Sequence, residues 1–163
     1  MATLVVLKFP TAEGATTMLY ILEGLQKQQL IQIHDGAVVS WPAGDSKPKT
    51  DQLSKTATTG AGALGGAFWG MLFGLLFFIP FFGLAVGAAM GALMGHFSNY
   101  GIDQNFIEQV RSKVTPGTSA LFLLSSGAVT DKVAEAVQGQ QFEIIQTNLS
   151  QEQEDKLRAD FGE

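Results

Sequence analysis

Apolar positions along the chain fall into two patterns, one on either side of a long uninterrupted apolar run. In the first pattern, Ala2 to Phe9 is a short apolar stretch closed by Pro10, which predicts a strand. Thr11 is placed to cap a following helix with Glu13 in its first turn, and Met18, Leu22 and Leu25 recur at helical spacing on one side. That helix should stop near Gln29. A second strand is expected over Gly36 to Trp41, with Ile31 as the alternative start, and a polar loop from Pro42 to Ser54.

The second pattern begins at Asp103, a good helix cap, with Ile102 and Ile107 spaced for a hydrophobic staple. Phe106, Ile107, Val110 and Val114 form its apolar side, and Pro116-Gly117 breaks it. Ala120 to Leu124 is continuously apolar, the mark of a strand covered on both faces or central in its sheet. Thr130 or Asp131 then caps a short helix carrying Val133, Ala134 and Val137, with Gly139 near its end. Phe142 to Asn148 is a fourth strand. Ser150 and Gln153 have the spacing of a capping box for a last helix, with Leu157 and Phe161 inward. Without the central run and the helix that trails it, the order is βαββαβ followed by a C-terminal helix. The expected class is therefore α+β, a ferredoxin-like domain split by an insertion, with a parallel α/β sheet as the alternative topology.

Between these halves, Gly60 to Gly95 reads GAGALGGAFWGMLFGLLFFIPFFGLAVGAAMGALMG. A membrane-crossing helix needs about 20 apolar residues, and this run is nearly twice as long, with Pro80 near its middle. Two helices are expected, roughly Thr59 to Phe78 and Phe81 to Phe97, joined by a turn at Phe78-Ile79-Pro80-Phe81-Phe82. Gly62, Gly66, Gly70 and Gly74 recur every fourth residue, as do Gly83, Gly87, Gly91 and Gly95. Such spacing keeps small residues on one stripe, so that two helix backbones can approach. The competing reading is a buried hairpin of a water-soluble protein. It is disfavoured because each glycine in a helix costs about 1 kcal/mol relative to alanine.

Composition sharpens the division. All 25 charged residues of the 163 lie outside the stretch from Lys55 to Asp103, or at its two ends. Ten of the 19 glycines and seven of the 12 phenylalanines lie between Gly60 and Phe97. The division predicts three parts: residues 1–56 and 99–163 as the two pieces of one domain, and 57–98 as an embedded helical hairpin. Lys47, Lys49 and Lys55 before it, with Arg111 and Lys113 after it, place both flanks, and so both termini, on the cytoplasmic side. The first ten residues lack the basic region and cleavage site of a secretory signal. A net charge of −5 without basic clusters argues against nucleic acid as partner. The absence of cysteine excludes disulfides, zinc-thiolate sites and thiol catalysis.

Candidate chemistry is sparse. His34 and His96 are far apart, and a metal site would need both with Asp35 or Asp103. A turn histidine and an interface histidine explain them more simply. Ser125-Ser126 end a strand, with no evident route from either histidine to a triad. Glu152, Glu154 and Asp155 complement the dipole at a helix start and face water. The lysines before the insert can touch anionic headgroups or line a solvated loop. Trp41 and Trp69 can anchor at a membrane interface, though Trp41 is more simply a core or sheet-edge residue. Asn99 to Asp103 is expected to couple the hairpin to the domain, with a ligand site as the alternative. The insert has no internal charge to line an ion path.

The phrases GAFWGMLFGLLFFIPFFGLAVGAAMGALMG, YGIDQNFIEQV, PGTSALFLL and QTNLSQEQEDKLR, in that order, resemble a family of bacterial membrane proteins of unknown function with a glycine-zipper hairpin. The resemblance covers nearly the whole chain. It implies a bacterial protein with an embedded hairpin, in the cytoplasmic membrane, and carries no reaction with it. The expectation is a non-enzymatic, self-associating membrane-anchored scaffold without a cofactor, its partners being lipid and further copies of itself. The alternatives are a tethered sensor domain for a small ligand or protein, and an oligomeric pore.

Overall fold

A computed structural model describes residues 3–45, 48–52, 66–78, 95, 97–127 and 130–161 of the chain. It is a mixed α+β structure with a five-stranded antiparallel sheet. The strands are β1 (Thr3–Phe9), β2 (Gln32–Ser40), β3 (Lys49–Gln52), β4 (Ser119–Ser126) and β5 (Glu143–Asn148). They lie in the order β3-β2-β4-β1-β5. The helices among the described residues include α1 (Gly14–Lys27), α2 (Gly66–Phe73), which runs into a π-helical turn at Gly74–Phe78, and α3 (Gln104–Lys113). Beyond β4 come α4 (Thr130–Ala136) and α5 (Gln151–Phe161).

β4 occupies the central position, between β1 and β2, and is buried along almost its whole length. This is why its sequence is continuously apolar rather than alternating: both faces are covered. On one face Leu121 and Leu123 join Leu7, Phe9 and Ile33 under Ala15, Met18, Leu22 and Leu25 of α1. On the other, Ala120, Phe122 and Leu124 join Leu4, Val6, Ala37, Val39 and Ile145. α2, its π-helical turn and α3 cover that second face, together with Leu149 and Leu157 around α5.

Several expected stops and caps are present. Asp103 Oδ1 accepts from the Phe106 amide at 2.9 Å, with Ile102 and Ile107 buried beside it. Ser150 and Gln153 form the reciprocal capping box, Ser150 N to Gln153 Oε1 at 2.9 Å and Gln153 N to Ser150 Oγ at 3.2 Å. α1 ends where expected. Gln29 adopts φ 62°, with Gln29 N bonded to Gln26 O and Leu30 N to Leu25 O, the paired bonds of a Schellman ending.

Other expectations are corrected. Thr11 does not cap α1: Glu13 holds the cap position and makes no side-chain bond there. The buried Ser119 of β4 does that work. Its Oγ accepts from Ala15 N at 3.0 Å and donates to the Thr11 carbonyl at 2.7 Å. The polar loop expected over Pro42–Ser54 contains β3, which pairs with Ala37–Ser40. Its sequence, KTDQ, is that of a short charged edge strand, a composition that discourages further strand addition.

The hydrophobic insert differs most from expectation. No helix among the described residues is long and apolar enough to cross a membrane. The helix expected from Thr59 to Phe78 is described from Gly66, and its described part is α-helical to Phe73 and π-helical from Gly74. Its aromatic side chains have a partner surface within the chain, the second face of the sheet. Trp69 and Phe73 both meet Phe122 edge-on, and Phe77 meets Trp41 edge-on. The turn at Pro80 and most of the helix expected from Phe81 to Phe97 lie outside the described residues.

Candidate functional site

Three places in the fold bear on function: the glycine edge of α2, a bulge in β2, and a cleft beneath α1 and α4. α2 is two-sided. Phe68, Trp69, Leu72 and Phe73 are buried, as are Leu75, Leu76 and Phe77 of the π-helical turn. Arg111 of α3 reaches across, its Nη2 donating to the Leu75 carbonyl at 2.7 Å, so α3 clamps the turn from its far end. Trp69 Nε1 and Arg111 Nε are buried and have no hydrogen-bond partner among the described residues. Among the described residues, a Cβ added at Gly70, at Gly74 or, outside this helix, at Gly95 would meet nothing within 4 Å. Gly66 is the first described residue of the helix. Gly62, Gly83, Gly87, Gly91 and Pro80 lie outside the described residues.

The β2 bulge is the feature that sequence reasoning missed. The pairing with β4 shifts register between Ile33 and Asp35, leaving His34 as the extra residue. His34 Nε2 thereby comes to 2.7 Å from Ser126 Oγ, although the two are 92 residues apart. Asp35 is completely buried, and its Oδ1 accepts from the Gly36 amide at 2.7 Å. A hydroxyl–imidazole contact is one half of a nucleophile–base arrangement. Here it joins the bulge to the end of β4. No signal for it is present in the chain, because a bulge depends on the partner strand's register. Among the described residues, no three His, Asp or Glu side chains converge as metal ligands.

The remaining tryptophan is placed as a core residue. Trp41 is buried at the end of β2, and its Nε1 donates to the Asp45 carbonyl at 3.0 Å. Its backbone closes a turn with Gly117 and Thr118, through Trp41 N to Thr118 O at 2.9 Å and Gly117 N to Trp41 O at 2.6 Å.

The cleft lies on the α1 side of the sheet and measures about 490 Å³. Its apolar walls come from β1, β4 and β5, from Leu22 of α1, and from Val133, Ala134 and Val137 in and just after α4. α4 is short and its inward side chains are small, so it roofs the sheet without filling the space below it. Ser125 and Gln146 are the polar residues of the lining.

Comparison with known proteins adds a family. The family described as "Protein of unknown function (DUF1269)" matches residues 63–162, more than half of the chain. No curated protein and no solved structure matches it.

Proposed function

The chain belongs to the DUF1269 family of proteins of unknown function, and from that premise we propose that it is a non-enzymatic, self-associating scaffold held at a membrane. The observation that carries this reading is the two-sidedness of α2. Its aromatic side is locked onto the sheet, while a Cβ at Gly70, or at Gly74 where the π-helical turn begins, would meet nothing within 4 Å among the described residues. A helix edge without side chains lets a second helix approach closely, which is how glycine stripes hold helices together. The same period continues in Gly83, Gly87, Gly91 and Gly95. We read the stripes as contacts between copies of the chain.

Membrane attachment rests on the composition of the insert. With residues 66–78 committed to the sheet, the apolar residues from 79 to 95 are fewer than the about 20 a crossing helix needs. We therefore read the attachment as insertion into one leaflet of the bacterial cytoplasmic membrane, with both termini on the cytoplasmic side. The domain that carries the insert we read as ferredoxin-like. Its four long strands stand in the order β2-β4-β1-β5, antiparallel throughout, and the short β3 extends one edge.

The test is the double substitution Gly70→Leu with Gly74→Leu. Both added side chains point into open space, so the circular dichroism spectrum and melting temperature should stay near those of the parent. Assembly size by sedimentation should fall toward the monomer. Unchanged assembly in a folded variant would sink the scaffold reading. A carbonate wash of membranes checks the attachment separately: the chain should remain in the pellet, and its release into the supernatant would remove the lipid part of the proposal.

A further inference from the structure

The cleft beneath α1 and α4 has a chemistry that the scaffold reading does not use. None of its twelve lining residues is charged. Ten are apolar, and the two polar ones lie on either side of β1 toward the start of that strand. Ser125 pairs with Thr3, and Gln146 pairs with Val5, so serine and amide stand at one end of an otherwise apolar groove. Ser125 is 6% exposed, and its hydroxyl makes no hydrogen bond among the described residues. Ser125 lines the cleft, so its hydroxyl is available to a ligand there. Ile144, at the rim, is 56% exposed, one of two large hydrophobic residues in that condition among those described. A volume of about 490 Å³ lies within the range of small-molecule sites, about 300–1,000 Å³.

We propose that this cleft binds an uncharged amphiphile: an aliphatic chain lying along β1, β4 and β5 under α4, its neutral polar head meeting Ser125 and Gln146. The absence of lysine, arginine and histidine among the described lining residues selects against carboxylate or phosphate heads, whose desolvation would go uncompensated. The exposed side of Ile144 becomes covered by the chain. The Ser125 hydroxyl donates to a head oxygen, and the Gln146 amide supplies a donor and an acceptor beside it. The site is separate from the glycine edge, which lies on the opposite face of the sheet.

The probes are 1-dodecanol and dodecanoate, which share a chain and differ in head charge. Equilibrium dialysis of the full chain at neutral pH should show saturable binding of 1-dodecanol with one site per chain, and at least tenfold weaker binding of dodecanoate. Ala134→Trp fills the cleft and should abolish the saturable component. Ser125→Ala should weaken binding about threefold to tenfold, the loss of one hydrogen bond. Ile144→Glu alters an exposed residue, so it keeps the fold even if Ala134→Trp does not. It should weaken 1-dodecanol binding without changing the circular dichroism spectrum. Binding that survives Ile144→Glu and Ser125→Ala, equal affinity for the two probes, or no saturable binding would each overturn the proposal. So would a dimer that forms through this cleft and is broken by Ile144→Glu. Failure of the glycine-edge test leaves these outcomes unaffected, since the two readouts are assembly size and ligand uptake.

Discussion

Gln29 is held at φ 62°, a left-handed conformation that costs a residue with a Cβ about 1–2 kcal/mol. The Schellman bonds around it require that conformation, so the cost is borne by the helix end. Gln29→Gly should raise the unfolding free energy by about 1 kcal/mol, read as a higher urea midpoint with an unchanged slope. Gly101 is the opposite case. At φ +86°, an added Cβ would lie 2.8 Å from Gln153 Oε1 and 3.3 Å from the Asn148 carbonyl. Gln153 Oε1 is the atom that completes the capping box of α5. Gly101→Ala should therefore cost about 2 kcal/mol through backbone strain and a displaced cap. Combined with Gln153→Ala, the two losses should be less than additive in a double-mutant cycle. Full additivity would show that the glycine matters through its φ alone.

At the scale of elements, the apolar insert and the sheet depend on one another. Phe73 lies against Trp69, Phe77 and Phe122, so Phe73→Ala opens a cavity between α2 and β4 and should cost about 3–5 kcal/mol in thermal or urea unfolding. A loss below 1 kcal/mol would mean that α2 is not docked on the sheet in solution. Where an element's identity rests on its own residues, it was legible. The Asp103 cap, the Ser150–Gln153 box, the end of α1 at Gln29 and the doubly covered β4 all have local causes. Where identity rests on a distant partner, it was not. β3 has a hydrophilic sequence and is a strand because β2 offers it an edge. The cap of α1 comes from Ser119, and the His34–Ser126 contact exists because of a register shift. The cleft was equally hidden, since it is the gap left by a short helix over a sheet. The docking of Trp69 and Phe73 was hidden for the same reason: the insert's own sequence does not say that Phe122 faces them.

At the scale of the whole molecule, the two faces of one sheet are covered differently. The face under α1 and α4 has a cleft with neutral walls. The face under α2, α3 and α5 is densely aromatic and carries, on its outer side, the open glycine edge. The division makes a whole-molecule prediction. Filling the cleft with 1-dodecanol should leave sedimentation of the parent chain unchanged, because the two sites are separated by the sheet. A shift in assembly size on saturation would show that the faces communicate.

The position of β4 has a consequence in time. β1 and β2 touch through β4, and the N-terminal turn of α1 waits for a serine 104 residues further on. On the ribosome, the first two strands and their helix emerge long before the strand that must lie between them, and the entire apolar insert is made in the interval. Contacts so distant along the chain fold slowly and leave apolar surface exposed meanwhile. The growing chain thus displays its stickiest segment at the stage when its sheet has no centre, and whatever meets that segment first, a membrane surface, a chaperone or a neighbouring nascent chain, does so before β4 is available to claim it.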